Sequence, residues 1–141
     1  MSQSSTETNQ NQLSQKPGIQ IFKAADLDKL FPKLDVGTII NQPGVNSKIV
    51  DVPVNTASNP LTIGFFSMSP GESFDFLYDV VEYKVVTKGK FVIRDKEGNR
   101  YVAEAGDVIL FSPDFPVVFD GESDGEAIYT KHAAALPAFM Q

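Results

Sequence analysis

The chain has 141 residues, no cysteine and a formal net charge of −6. This length leaves room for one domain with a single hydrophobic core. The missing cysteines exclude disulfides, thiolate metal ligands and thiol catalysis, and the scattered lysines form no basic face of the kind that binds nucleic acid.

Residues 1–17 are rich in Ser, Gln, Asn and Thr and offer almost nothing that a core could bury. Ordering such a segment costs backbone entropy with no apolar burial to offset it, so we predict a disordered polar tail. The tail lacks the apolar stretch of a signal peptide, and no later run has the length of a membrane span. We therefore expect a cytoplasmic protein that does not associate with membranes.

Residues 18–36 are predicted to form a short strand and a short helix. GIQIF at the start of this segment alternates apolar and polar residues, as a strand does. Between Ala25 and Leu34, leucine and phenylalanine recur at spacings of three and four, which indicates an amphipathic helix. Pro32 interrupts this pattern, so the helix should end near Phe31 and pack its apolar stripe on a core.

From Gly37 onward, strand patterns alternate with clusters of Gly, Pro, Asn and Asp that are typical of turns. The predicted strands are 37–40, 48–54, 61–68, 80–86, 90–95, 99–105, 107–111, 116–120 and 126–132. Two of them, 90–95 and 99–105, flank a short polar loop in which Gly98 can adopt a positive φ, and they predict a hairpin. The segment 37–141 therefore predicts an all-β sandwich or barrel.

Two motifs around the hairpin point to a family. Six residues separate Glu82 from Gly89, and Gly106–Pro113 reads GDVILFSP. Together these motifs resemble the two signature motifs of the cupin superfamily, and Tyr78 and Asp79 ahead of the glutamate resemble EutQ-type cupins of ethanolamine utilisation. The resemblance implies a single-domain cupin, a double-stranded β-helix or jelly-roll barrel, preceded by a short N-terminal helix.

The resemblance also shows what this chain lacks. Metal-binding cupins combine the glutamate with three histidines, and two of those positions fall between Asp75 and Asp79, where the sequence reads DFLYD. The third falls on Val117 or Val118. Because imidazole is a good donor for iron, nickel, copper and zinc, we predict no tightly bound transition metal and no cofactor. A carboxylate pair such as Asp79 and Glu82 leaves weak binding of a hard cation open.

Strand alternation places Glu82 and Lys84 on one face and Tyr83 on the other. The cupin register implies that the first face points into the barrel, where the glutamate and the lysine form a pair or flank a polar ligand. Periodicity alone leaves the alternative of an exposed surface pair, which would contribute little to stability.

Tyr78, Asp79 and Asp75 precede that strand, at the predicted mouth of the barrel, where ligand-handling residues tend to collect. In the EutQ resemblance, Tyr78 donates a proton or hydrogen bond and Asp79 or Glu82 accepts one. We therefore predict Glu82, Asp79 and Tyr78 as catalytic residues and place Asp75 with the substrate-binding ones. The alternative for Asp79 is an ordinary turn cap.

Three further substrate-binding residues are predicted around this cluster. Lys84 shares the face of Glu82, and Phe115 in the SPDFP loop is placed at the entrance. His132 is the only histidine and lies on the last strand, on the same face as Ile128 and Thr130. Final cupin strands often line the cavity, which makes its imidazole a candidate acid or base; the alternative is an exposed or structurally bonded histidine.

Two functions stay open. The first is a metal-independent isomerase or lyase that acts on a small polar metabolite, such as a carbonyl compound, a sugar or an organic acid. The second is a non-catalytic cupin that binds a ligand or serves as a scaffold. Acetyl-phosphate chemistry fits the EutQ resemblance, but the chain has no phosphate loop of the P-loop kind. Because an open sheet has edges that must be covered, we also expect a homodimer.

Overall fold

The computed structural model describes residues 18–55 and 60–135. The predicted polar tail, 1–17, lies outside the described residues. A 3-10 turn at Ala24–Asp26 leads into two helices, α1 (Leu27–Leu30) and α2 (Val36–Ile39). The strands are β1 (Leu34–Asp35), β2 (Ser47–Asn55), β3 (Leu61–Met68), β4 (Phe74–Phe76), β5 (Glu82–Asp95), β6 (Arg100–Glu104), β7 (Val108–Phe111), β8 (Val117–Phe119) and β9 (Asp124–Lys131).

All strand pairs are antiparallel, and the order along the main path is β1-β2-β3-β9-β5-β8-β4, with β6 and β7 also paired to β5. The long strand β5 therefore connects the two halves of the sheet. Its first part lies between β9 and β7, and its last part lies between β8 and β6. The result is the predicted cupin fold, a nearly all-β barrel made by one curled sheet.

A bulge bends β5 where the sequence suggested a break between two strands. The pairing with β9 shifts register between Val86 and Lys88, and Gly89 follows with a φ of +68°. A side chain at Gly89 would also run into the backbone carbonyl of Asp124. Because only glycine combines that φ with such a close approach, it allows one 14-residue strand to turn from one half of the sheet to the other.

The predicted hairpin is confirmed by the pairing of Lys90–Arg94 with Arg100–Glu104. The predicted helix is short but ends where Pro32 requires, since α1 stops at Leu30 and Phe31 is already extended. Two predicted strands are wrong. Residues 18–22 form no strand and leave Ile19 and Ile21 exposed, and 37–40 contributes instead to α2 and the turn after it.

The physical reason for α2 is local. The amide of Ile40 donates to the carbonyl of Val36 at 3.0 Å, and Gln42 donates to Gly37 at 2.7 Å. The close approach of the turn backbone leaves no room for a side chain at Gly37. The segment therefore satisfies its hydrogen bonds within itself, and α2 comes to lie against the barrel rather than within the sheet.

Phenylalanines fill much of the barrel. The ring of Phe66 lies 5.4 Å from that of Phe91 and 5.5 Å from that of Phe119, which stacks on Phe74 at 4.9 Å. On the outside of β2 and β3, Phe31 and other apolar residues of the N-terminal segment cover a second, smaller cluster. No helix within the described ranges is long and apolar enough to cross a bilayer.

Candidate functional site

The candidate site is a patch of charged and phenolic side chains on the inner face of the sheet. On β5, Glu82 and Lys84 point inward and are 6% and 3% exposed, while Tyr83 between them points outward. In the adjacent strand β9, Lys131 stands directly opposite Glu82, and Tyr129 stands opposite Lys84. Alternation along two paired strands therefore brings all four polar groups to one place.

Glu82 and Lys84 form a buried ion pair. The Nζ atom of Lys84 donates to Oε2 of Glu82 at 2.7 Å. The same nitrogen lies 4.3 Å from the ring centroid of Phe66 and 4.4 Å from that of Tyr129, so two aromatic faces hold the ammonium. Burial lowers the pKa of Lys84, and the charge and hydrogen bond of Glu82 oppose part of that shift.

The phenol of Tyr78, from the loop before β5, lines the same cavity as the carboxylate of Glu82 and is influenced by its charge. Its ring is buried, stacked on Phe111 at 4.5 Å and edge-on to Phe76 at 4.6 Å. Burial, followed by the charge of Glu82 and the hydrogen bond to it, raises the pKa of Tyr78 well above its ordinary value. The phenol therefore stays protonated across the physiological pH range.

A second cluster of polar side chains, formed by Asp51, Tyr129 and Lys131, lies beside the Glu82–Lys84 pair. The sequence analysis missed it. The hydroxyl of Tyr129 donates to Asp51, which is fully buried on β2, and Nζ of Lys131 lies 3.3 Å from the other oxygen of that carboxylate. Burial and the charge of Asp51 raise the pKa of Tyr129, which keeps its phenol a donor. The signal that was available is a lone aspartate inside the apolar run IVDVPV.

Gly64 makes the contact between Tyr129 and Asp51 possible. It pairs with Asp51 on one side and with Tyr129 on the other, so the three residues form one row across β2, β3 and β9. A side chain at Gly64 would occupy the space that the Tyr129 ring now fills. The missing side chain on the middle strand thus lets the phenol lie across it and reach the carboxylate.

These groups border a cavity of about 170 Å³. Apolar residues form most of its wall, with α2 and the following turn closing one side through Val36, Ile39 and Ile40. Ile39 and Phe76 are partly exposed at its rim. Its polar lining residues are Tyr78, Glu82, Lys84, Tyr129 and Lys131.

The structure does not bring the other predicted site residues to this cavity. Asp79 and Asp75 are exposed, and Asp75 is ion-paired with Lys96 at 3.0 Å. His132 is exposed because β9 turns Tyr129 and Lys131 inward, which is the face opposite to the one that the sequence analysis assigned to the cavity. The functional roles of these residues, and of Phe115, stay predictions.

Phe115 lies at a different opening. It borders a groove of about 650 Å³ next to β6 and β7, whose lining includes the exposed side chains of Tyr101, Val102, Val108 and Leu110. Each of these two strands pairs only with β5 among the described strands. No strand in the described part of the chain therefore pairs with their outer edges.

The donors in the cavity do not fit the metal centre that is usual in cupins. Within 18–55 and 60–135, no group of three or more His, Asp or Glu side chains is placed to hold a metal ion. At the third histidine position, Val117 and Val118 are buried and supply no donor atom. The one carboxylate that lines the cavity, Glu82, is bonded to Lys84. A transition metal ion would find neither imidazoles nor a free carboxylate cluster here.

The family follows from the sequence match. The profile described as "Ethanolamine utilisation protein EutQ" matches residues 1–137. The chain belongs to the EutQ family. No curated protein sequence matches this EutQ-family chain.

Solved structures share the fold of this EutQ-family protein. A putative ethanolamine utilization protein Q from Salmonella typhimurium LT2 is similar over 63% of this chain and 71% of its own, with 21% identity and a TM-score of 0.54. The Clostridium difficile EutQ protein matches 62% of this chain and 64% of its own, with 20% identity and a TM-score of 0.52. An RmlC-like cupin from Shewanella frigidimarina NCIMB 400 matches 83% of this chain and 93% of its own, with 16% identity and a TM-score of 0.59.

Proposed function

We propose that this EutQ-family cupin is an acid–base enzyme of the isomerase or lyase type that acts on a small polar metabolite without a tightly bound transition metal. The observation that supports this most directly is the position of Glu82, which is paired with the ammonium of Lys84 and borders a small cavity that the phenol of Tyr78 also lines. A carboxylate, a neutral phenol and an ammonium in one cavity are the groups that proton transfer next to a carbonyl requires.

The roles follow from the chemistry of each group. Glu82 takes a proton from the carbon next to the substrate carbonyl, since it is the one carboxylate that lines the cavity. Tyr78 returns a proton, because burial keeps its phenol neutral. Lys84 stabilises the negative charge that develops on the carbonyl oxygen. Asp79 is exposed beside Tyr78 and remains a predicted proton acceptor that the proposal does not require.

The size and charge of the cavity limit the substrate. A volume of about 170 Å³ is below the usual range of ligand pockets and corresponds to roughly six waters, so the substrate has about that many heavy atoms. The two lysines that line the cavity, buried Lys84 and partly buried Lys131, are each matched by a carboxylate, Glu82 and Asp51. A charged ligand would leave an uncompensated charge in this cavity, which favours an uncharged molecule such as a small aldehyde, ketone or sugar.

One observation favours the second candidate function, a non-catalytic ligand-binding or scaffold cupin. The rings of Phe66, Phe74, Phe91, Phe111 and Phe119 are all buried in the main core and leave little free space. A protein of this kind would bind a small molecule in the cavity without exchanging its protons, or would bind none.

Deuterium exchange separates the two functions. We expect the wild-type protein to catalyse exchange of the protons next to the carbonyl of at least one uncharged aldehyde or ketone of two to four carbons in heavy water, followed by proton NMR. Glu82→Gln should lower that rate about 100-fold or more because the base is lost, while Glu104→Gln, at an exposed glutamate on β6, should not change it. No exchange by the wild type across the whole set of compounds would contradict the enzyme proposal and favour the second function.

We also propose that the protein forms a homodimer through the unpaired edges of β6 and β7. The groove beside them is lined by apolar side chains, among them Val108 and Leu110. A second copy presents the same edge, and a two-fold axis brings the two edges together in the antiparallel orientation that strand pairing needs.

A further inference from the structure

In the acid–base function proposed above, the amine of Lys84 has only an electrostatic role. The side chain of Lys84 is almost fully buried, yet it belongs to the lining of the 170 Å³ cavity. Its nitrogen sits between the rings of Phe66 and Tyr129 and touches a single carboxylate, that of Glu82. A primary amine held in this way next to a proton acceptor is the arrangement found at lysines that react with carbonyl compounds.

We propose that Lys84 forms an imine with the carbonyl carbon of a small aldehyde or ketone held in this cavity. The proposal rests on the proposed acid–base function and makes its substrate class specific. It changes the role of Lys84 from a charge that stabilises an oxyanion to a nucleophile that binds the substrate covalently.

The first requirement is a neutral amine. Glu82 accepts a hydrogen bond from Nζ of Lys84 at 2.7 Å, so transfer of one proton along that bond converts the ion pair into a neutral amine and a carboxylic acid. Because both side chains are almost fully buried, the ion pair loses much of the solvation that favours it in water. Burial also lowers the pKa of Lys84, and this likewise favours the neutral amine.

The reaction then balances with groups that are present. The lone pair of Nζ forms a bond to the carbonyl carbon, the π electrons of the carbonyl move to its oxygen, and one of the two Nζ protons transfers to that oxygen to give a neutral carbinolamine. The hydroxyl group leaves with the proton of the Glu82 carboxylic acid as water, and a C=N double bond to the protonated nitrogen replaces the C–O bond. The sum is amine, carboxylic acid and aldehyde to iminium, carboxylate and water, with no oxidant or reductant.

The surroundings of Lys84 also suit the product. A protonated imine keeps the positive charge on nitrogen, so the rings of Phe66 and Tyr129 that now hold the ammonium would hold the iminium as well. The carboxylate of Glu82 is regenerated within reach of the carbon next to the imine. That carbon loses its proton more readily than the carbon next to a carbonyl, because the iminium accepts the electron pair.

Lys131 is the other amine that lines the cavity, and its position is less suitable. Its nitrogen is 3.3 Å from the carboxylate of Asp51, which is fully buried. If the amine of Lys131 became neutral, this buried carboxylate would lose a cationic partner. It is also partly exposed to water, which favours the ammonium form. The structure therefore assigns the reaction to Lys84 and not to Lys131.

Reductive trapping tests the proposal on the wild-type protein. Glycolaldehyde at a concentration close to that of the protein is added at neutral pH with cyanoborohydride, which reduces imines, and the modified lysines are located by peptide mass spectrometry. We expect at least about tenfold more reduced adduct on Lys84 than on Lys88, an exposed lysine on the same strand, because the cavity holds the aldehyde next to Lys84 and burial lowers the pKa of that amine. Adduct spread evenly over the exposed lysines, or found preferentially on Lys131, would overturn the assignment.

Failure of this proposal can be told from failure of the acid–base proposal. If the wild-type protein exchanges substrate protons but shows no preferential adduct on Lys84, the imine is wrong and the acid–base function stands. If Lys84 is trapped but no exchange occurs, the imine is right and the acid–base proposal is wrong. Omitting cyanoborohydride provides the control, since an unreduced imine hydrolyses and should leave Lys84 unmodified.

Discussion

At the scale of single residues, the Glu82–Lys84 pair is costly to bury. Removing two charges from water carries a penalty that their attraction repays only with good geometry, and apolar replacements of similar volume are often as stable or more stable. Here the pair is 2.7 Å long and almost fully buried. A fold that needed only stability would not require it, which agrees with a role in binding or chemistry.

This argument predicts how stability responds when the pair is removed one residue at a time. Glu82→Leu leaves an unpaired ammonium, and Lys84→Met leaves an unpaired carboxylate, so each single variant should lose about 3 to 5 kcal/mol of unfolding free energy. The double variant Glu82→Leu/Lys84→Met has no buried charge at these positions and should lie within about 1 kcal/mol of the wild type. Urea unfolding measures all three.

Lys90 provides the matched control for that series. It lies on the same strand in an exposed pair with Glu122 at 3.8 Å, so Lys90→Met should change the unfolding free energy by less than about 1 kcal/mol. If the losses of the two single variants simply add in the double variant, the two charges do not act as a pair, and the argument fails.

At the scale of elements, three strands cooperate around Gly64. Asp51 on β2, Gly64 on β3 and Tyr129 on β9 stand in one row, and the middle position has no side chain. Gly64→Ala would place a methyl group where the Tyr129 ring lies. The ring would have to move away and leave Asp51 with one hydrogen bond fewer, so we expect a loss of about 1 to 3 kcal/mol in urea unfolding.

A variant without the Tyr129 ring tests whether the clash with that ring causes the loss. In a protein that carries Tyr129→Ala, the ring is gone, and adding Gly64→Ala should cost less than about 1 kcal/mol because the clash no longer exists. Ser67→Ala, on the outward side of β3, should be nearly neutral in either background. Equal losses from Gly64→Ala with and without the Tyr129 ring would show that the row has no such role.

The sequence predicts features that depend on local patterns, but not features that depend on how distant strands pair. Alternation and the spacing from Glu82 to Gly89 were enough to place Glu82 and Lys84 together on an inner face. On β9, alternation separates Tyr129 and Lys131 from His132, but it does not say which face is inside. That depends on the register with β5, which is a long-range property, and so the cavity residues Tyr129 and Lys131 were missed.

The other differences have separate causes. The residues 37–40 satisfy a strand pattern, but their backbone hydrogen bonds are made locally within α2 and the turn after it. Asp51 sits in a strand that the sequence analysis predicted, yet its partner Tyr129 lies 78 residues away. Local patterns therefore predicted most strands, while contacts between distant strands determined the polar site.

At the scale of the whole molecule, the curled sheet has an edge that no strand within 18–55 and 60–135 covers. This edge is formed by β6 and β7 and lies along the groove of about 650 Å³. Leu110 and Val108, which are 68% and 63% exposed, lie on this edge. Exposed apolar side chains next to unpaired strand edges favour association of two copies, although a net charge of −6 on each copy opposes it.

We therefore expect a dimer in light scattering at micromolar concentration, and a weaker one at low ionic strength, where the repulsion between like-charged copies is less screened. Leu110→Glu adds a charge at the centre of the proposed interface and should shift the protein to a monomer without loss of fold, since this side chain is exposed in the single chain. Ile21→Glu, at an equally exposed apolar residue far along the chain from the groove, should leave the dimer intact. A monomeric wild type, or a dimer unaffected by Leu110→Glu, would contradict an interface on this edge.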